Sequence, residues 1–206
     1  MDPLDLFYDS QAGLKTTFRE LPHWKQQGKV HFLTWRQADS LPRARLEELQ
    51  SEREAWLRRN GTADVRELDH FERHAYYKLF HQRLEHWLDA GSGSCLLKRS
   101  EVREIVAAAL LHFNGERYAL GSYAIASNHV HVLVVPMNGI DLSSITHSWK
   151  SFTAKKINAV LGRSGTFWQD ESFDHLVRNE TSLRRIEEYI AGHESHGALV
   201  WRKDFQ

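Results

Sequence analysis

The chain has 206 residues, enough for one domain with a sizeable hydrophobic core. Its 27 Lys+Arg balance 27 Asp+Glu, so the formal net charge is zero; a strongly basic nucleic-acid binder is excluded and only local basic patches remain open. Hydrophobic residues at 41% and only 4 Pro exclude disordered and collagen-like classes.

A single cysteine, Cys95, allows neither an internal disulfide nor a Cys-based zinc site, and implies a reducing compartment. The longest apolar run, Ile105 to Leu111, falls far short of the roughly 20 residues a membrane span needs. Acids in Met1-Asp-Pro-Leu-Asp stand where a secretory signal would carry positive charge. The expectation is a soluble, cytoplasmic protein that does not engage membranes.

In chain order, residues 1–28 show no steady period and read as a leader packed on the domain. Lys29 to Trp35, rich in aromatic and β-branched residues, predicts a strand. Ser40 is the expected cap of a helix running to about Arg59, where Asn60-Gly61 ends it; a second helix is expected from Leu68 to Asp89. Ser100 is the expected cap of a third, Glu101 to His112, with an apolar stripe through Val102, Ile105, Val106, Ala109 and Leu110. Tyr118 to Val135 reads as two strands or one bent strand closed by Pro136, followed by a helix from about Ser143 to Leu161. Phe167 to Val177 has room for a short strand, and Asn179 caps a last helix through Tyr189. No repeat or linker interrupts the chain, which therefore reads as a single α+β domain over residues 1–206.

Asn128-His129-Val130-His131-Val132-Leu133 carries the sharpest chemical signal. Side chains alternate along a strand, so His129 and His131 share one face while Val130, Val132 and Val134 share the other. Two adjacent imidazoles make a ready pair of metal ligands. From this tripeptide alone, a half-exposed strand that happens to carry two histidines is an equal alternative. Three related motifs fail: position 133 is Leu where a histidine-triad hydrolase needs a third His, and His147-Ser148-Trp149 lies in a helical stretch rather than on the second strand of a two-histidine phosphoesterase. His193-Glu194-Ser195-His196 is followed by Gly197, so no His-Glu-x-x-His zinc site is present. Tyr189 and His193, four residues apart, share a helical face if the helix continues past Gly192. His70, His74 and His81 also share a face of the second helix and are taken as surface residues.

From Lys29 to Val200 the chain resembles the REP-associated tyrosine transposases, relatives of the single-tyrosine HUH transposases. The resemblance rests on SNHVHVLVVP, on HSWKSFTAKKINAVLGRSGTFWQDESFDHLVRNE and on RRIEEYIAGHESHGALV, in that order. It implies a ferredoxin-like antiparallel sheet with flanking helices, the two histidines on a middle strand and the tyrosine helix against them. It further implies cleavage and rejoining of single-stranded DNA beside a palindromic hairpin through a 5′-phosphotyrosine, with Tyr189 as nucleophile and His129 and His131 as ligands of a divalent metal ion, Mg or Mn. The family usually has Asn-Pro four residues after the tyrosine, the Asn being the third ligand; here that place is His193-Glu194. Three histidines suit Mn²⁺ or Zn²⁺ better than Mg²⁺, which prefers oxygen. The rival reading is a domesticated protein that binds single-stranded or hairpin DNA without cutting it; a phosphodiesterase acting through water is a third.

For DNA contacts, the segment from Ser143 to Gln169 holds Lys150, Lys155, Lys156 and Arg163 and no acid. Trp149 and Trp168 are interleaved as stacking candidates, and Phe152 is assigned to the core side of its helix. Either a monomer or a homodimer is compatible with the sequence.

Overall fold

The computed structural model describes residues 6–9, 11–13, 15–18, 22–203 and 205, with the side chains of residues 15–18, 22–24, 70 and 74 outside the description. Two compact units are distinguished: one comprises Met1–Ala38 and Cys95–Gln206, the other Asp39–Ser94.

The larger unit is built on a sheet in which every described neighbour pair is antiparallel. Its strands are β3 (His31–Arg36), β4 (Tyr118–Ile125), β5 (His129–Pro136), β6 (Phe173–Leu176) and β7 (Leu199–Trp201), in the order β6-β3-β5-β4-β7. With the flanking helices this is the α+β antiparallel architecture expected. β5 is central and buried along its whole length, which accounts for its near-continuous Val and Leu content. Its two faces serve two different cores. Val130, Val132 and Val134 join Leu33, Trp35, Leu120, Leu110 and Trp149 in one; Leu133 and Val135 join Phe32, Val177, Leu183 and Ile190 in the other.

The first core lies under α3 (Ser100–His112) and α4 (Leu142–Val160). On α4 the buried residues Leu142, Ile145, Trp149, Thr153 and Ile157 recur at three- and four-residue spacing, the period of one helix face. Several polar atoms that enter this core are paired. The Trp149 Nε1–H donates to Tyr118 Oη at 2.9 Å, and the Tyr118 hydroxyl donates to the Leu110 carbonyl at 2.8 Å. The second core lies under α5 (Glu180–Gly192), which places Leu183, Ile186, Tyr189 and Ile190 against the sheet.

The smaller unit contains α1 (Arg43–Arg59) and α2 (His70–Asp89) around Leu49, Leu57, Leu68, Tyr76 and Phe80. An Arg83–Glu52 ion pair ties the two helices. α2 starts with a capping box: Asp69 accepts from the Glu72 N–H at 2.8 Å and Glu72 accepts from the Asp69 N–H at 3.0 Å.

Several local expectations change. Residues 15–25, read as a leader without periodic structure, contain an antiparallel hairpin of β1 (Lys15–Phe18) and β2 (Pro22–Lys25). Ser40 does not cap α1; Pro42 takes the cap position and makes no side-chain cap bond, because its ring carries no hydrogen-bonding atom. Ser100 is the first helical residue of α3 rather than its cap, which is Arg99. Asn179 does cap α5, its Oδ1 accepting from the Ser182 N–H at 2.8 Å. Among the described residues, no helix is long and apolar enough to cross a membrane.

Candidate metal centre

His129 and His131 point from β5 toward α5, and both are buried. α5 brings a third imidazole. Gly192 keeps helical angles, φ −58° and ψ −27°, so the helix carries on to His193 instead of ending early. The His193 Nδ1–H then donates to the Tyr189 carbonyl one turn back, at 2.9 Å. A ligand nitrogen from each of His129, His131 and His193 lies within 4.8 Å of the others. Ring centroids are 4.6 Å apart for His129–His131, 4.7 Å for His131–His193 and 5.7 Å for His129–His193.

Each ring is held through Nδ1. Asn128 Oδ1 lies 2.8 Å from His129 Nδ1, and Thr34 Oγ1 lies 2.8 Å from His131 Nδ1. A carbonyl can only accept, so His193 carries its hydrogen on Nδ1 when neutral, and its Nε2 presents a lone pair. Clustered imidazole nitrogens with anchored Nδ1 atoms are a donor set for a divalent first-row metal, and the residues present fit such an ion.

Tyr189 is half-buried at the edge of this cluster. Its hydroxyl lies 3.3 Å from His131 Nε2, and its ring meets His193 edge-on at 4.7 Å. Phe32 shapes the same corner, stacking on His131 at 5.4 Å and 14° and meeting the Tyr189 ring edge-on at 6.3 Å. A phenol oxygen thus stands beside the histidine nitrogens on one side of the sheet. Register places Arg36 directly opposite His129 on the neighbouring strand.

The expected DNA residues lie elsewhere. α4 packs on the other face of the sheet, so its side chains are not gathered with the histidines. Lys155, Lys156 and Arg163 are exposed. The Lys150 ammonium donates to the Asp170 carbonyl at 2.6 Å and to Ser172 Oγ at 3.2 Å, holding the segment after Trp168 against the helix. Trp168 and Trp149 are 4% and 3% exposed, so neither ring offers a face to an incoming base. Trp168 instead donates from Nε1 to Thr153 Oγ1 at 2.8 Å and meets Trp35 edge-on. Phe152, assigned to the core, is 48% exposed, because it sits one position off the helix face that Trp149 and Thr153 define. His81 pairs with Glu85 at 3.0 Å, and the side chains of His70 and His74 lie outside the described residues.

Thr34 and Phe32 escaped the sequence reading. Nothing in the local string HFLTWR marks them; only the pairing register sets Thr34 across from His131. Asn128 was legible as the neighbour of His129.

Among curated proteins, none matches the chain. A solved structure described as a REP-associated tyrosine transposase bound to a REP hairpin is similar over 87% of this chain and 75% of that one, at 14% identity and a TM-score of 0.46. The family model for IS200-like transposases matches residues 98–193, a span that includes His129, His131, Tyr189 and His193.

Proposed function

We propose that the protein is a metal-dependent strand transferase that nicks and rejoins single-stranded DNA at hairpin repeats, with Tyr189 as nucleophile. The observation that carries this reading is the Tyr189 hydroxyl, 3.3 Å from His131 Nε2 within a three-imidazole cluster. His129, His131 and His193 would hold a divalent cation, and three nitrogen donors favour Mn²⁺ or Zn²⁺ over Mg²⁺. When bound, that ion withdraws charge from the scissile phosphate and stabilises the leaving oxygen.

Tyr189 attacks the scissile phosphorus in line. The bond from its oxygen to phosphorus forms as the bond to the 3′ oxygen breaks; the phenol gives up its proton and the departing strand ends in a 3′-hydroxyl. The 5′-phosphotyrosine retains the energy of the broken phosphodiester, so attack by a 3′-hydroxyl rejoins a strand without ATP. α5 contributes the nucleophile and one ligand from a single face, coupling their positions. The exposed Lys155, Lys156 and Arg163 would contact phosphates at a distance from the chemistry.

The test is a gel of purified protein with Mn²⁺ and labelled single-stranded hairpins. A covalent adduct that survives SDS is expected from the native chain and absent from Tyr189→Phe, which keeps the ring and its contacts. An adduct that persists in Tyr189→Phe assigns the nucleophile to another residue. Hairpin binding without any adduct in the native chain identifies a binding protein, and hydrolysis that survives Tyr189→Phe identifies attack by water.

A further inference from the structure

The three imidazoles are anchored from three different sources. His129 takes its Nδ1 partner from Asn128, its neighbour in the chain, and His193 takes its own from the helix that carries it. His131 takes its Nδ1 partner from a separate strand. Thr34 on β3 stands directly across from it in register, and the Thr34 hydroxyl lies 2.8 Å from His131 Nδ1 in a buried contact. Thr34 itself is 5% exposed, so water does not stand ready to replace its oxygen.

We infer that Thr34 is a positioning residue for the metal centre: its hydroxyl accepts from His131 Nδ1–H and thereby turns Nε2 toward His193 and Tyr189. The inference rests on reading the triad as a metal site. An imidazole that ligates a cation through Nε2 carries its hydrogen on Nδ1, and a buried N–H needs an acceptor. Phe32 cannot provide one. It stacks on the ring at 5.4 Å and fixes the ring plane, while leaving open which nitrogen faces the cluster. Rotating the ring by half a turn would keep the stack and present a carbon where Nε2 now lies. The hydroxyl breaks that degeneracy. His131 lies between the other two rings, and its Nε2 is 3.3 Å from the Tyr189 hydroxyl, so its orientation governs both ligand geometry and the nucleophile's neighbour.

Thr34→Val preserves shape and strand preference while removing the acceptor. Calorimetric titration with Zn²⁺ alone, without DNA, should show affinity weakened by roughly 10- to 100-fold, the usual effect of losing an outer-shell partner. Thr34→Ser, which keeps the hydroxyl, should retain most of the affinity. Nitrogen-15 NMR of labelled histidines should show His131 protonated on Nδ1 in the native protein and not uniformly so in Thr34→Val. Wild-type affinity and an unchanged tautomer in Thr34→Val would overturn the inference. Should Thr34→Val not fold, a Zn²⁺-loaded native protein whose His131 lacks the Nδ1 hydrogen overturns it equally, and one that has it, together with tight binding by Thr34→Ser, upholds it. If the native protein takes up no Zn²⁺, the metal reading falls separately; the tautomer comparison still decides the role of Thr34.

Discussion

On one face of β5, Val130, Val132 and Val134 meet Leu110, Leu120 and Trp149; on the other, His129 and His131 meet His193 and Tyr189. Both faces are buried and both are covered by helices, yet they are built on different terms. The valine face gains stability from apolar area and closes polar atoms such as the Trp149 indole nitrogen and the Tyr118 hydroxyl into pairs. The histidine face spends burial on nitrogen atoms, each steadied by a partner at Nδ1. A strand alternates its side chains, so a single eight-residue segment can supply a core and a site at once.

Substitutions on the two faces should therefore separate stability from chemistry. The largest expected effect is on the histidine face, where Tyr189→Phe abolishes the DNA adduct while leaving the thermal midpoint nearly unchanged. A large fall in the midpoint would show that the hydroxyl belongs to the core after all. His193→Ala comes next: metal affinity and cleavage should fall together, excess Mn²⁺ should restore part of the activity, and His193→Asn should retain most of it. Wild-type affinity and cleavage in His193→Ala would remove it from the ligand set.

The valine face should answer in the opposite way. Leu110 is fully buried in that core, and Leu110→Ala should cost about 2–5 kcal/mol in denaturant unfolding. The folded fraction should still form the adduct at the native rate, and a specific loss of chemistry would mean that the two faces are coupled. The smallest effect is expected on the solvent side of α4. Lys155→Ala should weaken every single-stranded sequence alike and reduce the salt dependence by a slope of about 0.7, one phosphate's share. An unchanged slope would move the DNA path off this helix.

The long periodic elements were legible because their signals are local. The stripe of α3, the cap at Asn179, the valine–histidine alternation of β5 and the spacing of Tyr189 and His193 all lie within a few residues of one another. The β1–β2 hairpin was not legible, since its strands are four residues each and carry no clear alternation. The stacking candidates misled for a related reason: composition shows that Trp149 and Trp168 are present but not which side of the helix and of its following loop they face. Both are core residues with paired indole nitrogens.

Which residues could do chemistry is legible in the order of the amino acids: two histidines on one strand face, and a tyrosine and a histidine one helical turn apart. Backbone periodicity alone dictates those relations. That the two pairs meet, that Gly192 remains helical, and that Thr34 on a strand nearly a hundred positions away contacts His131 emerge only from the folded chain. Such contacts depend on strand register and helix packing, which are set by the burial of whole faces at once rather than by any segment's own preference.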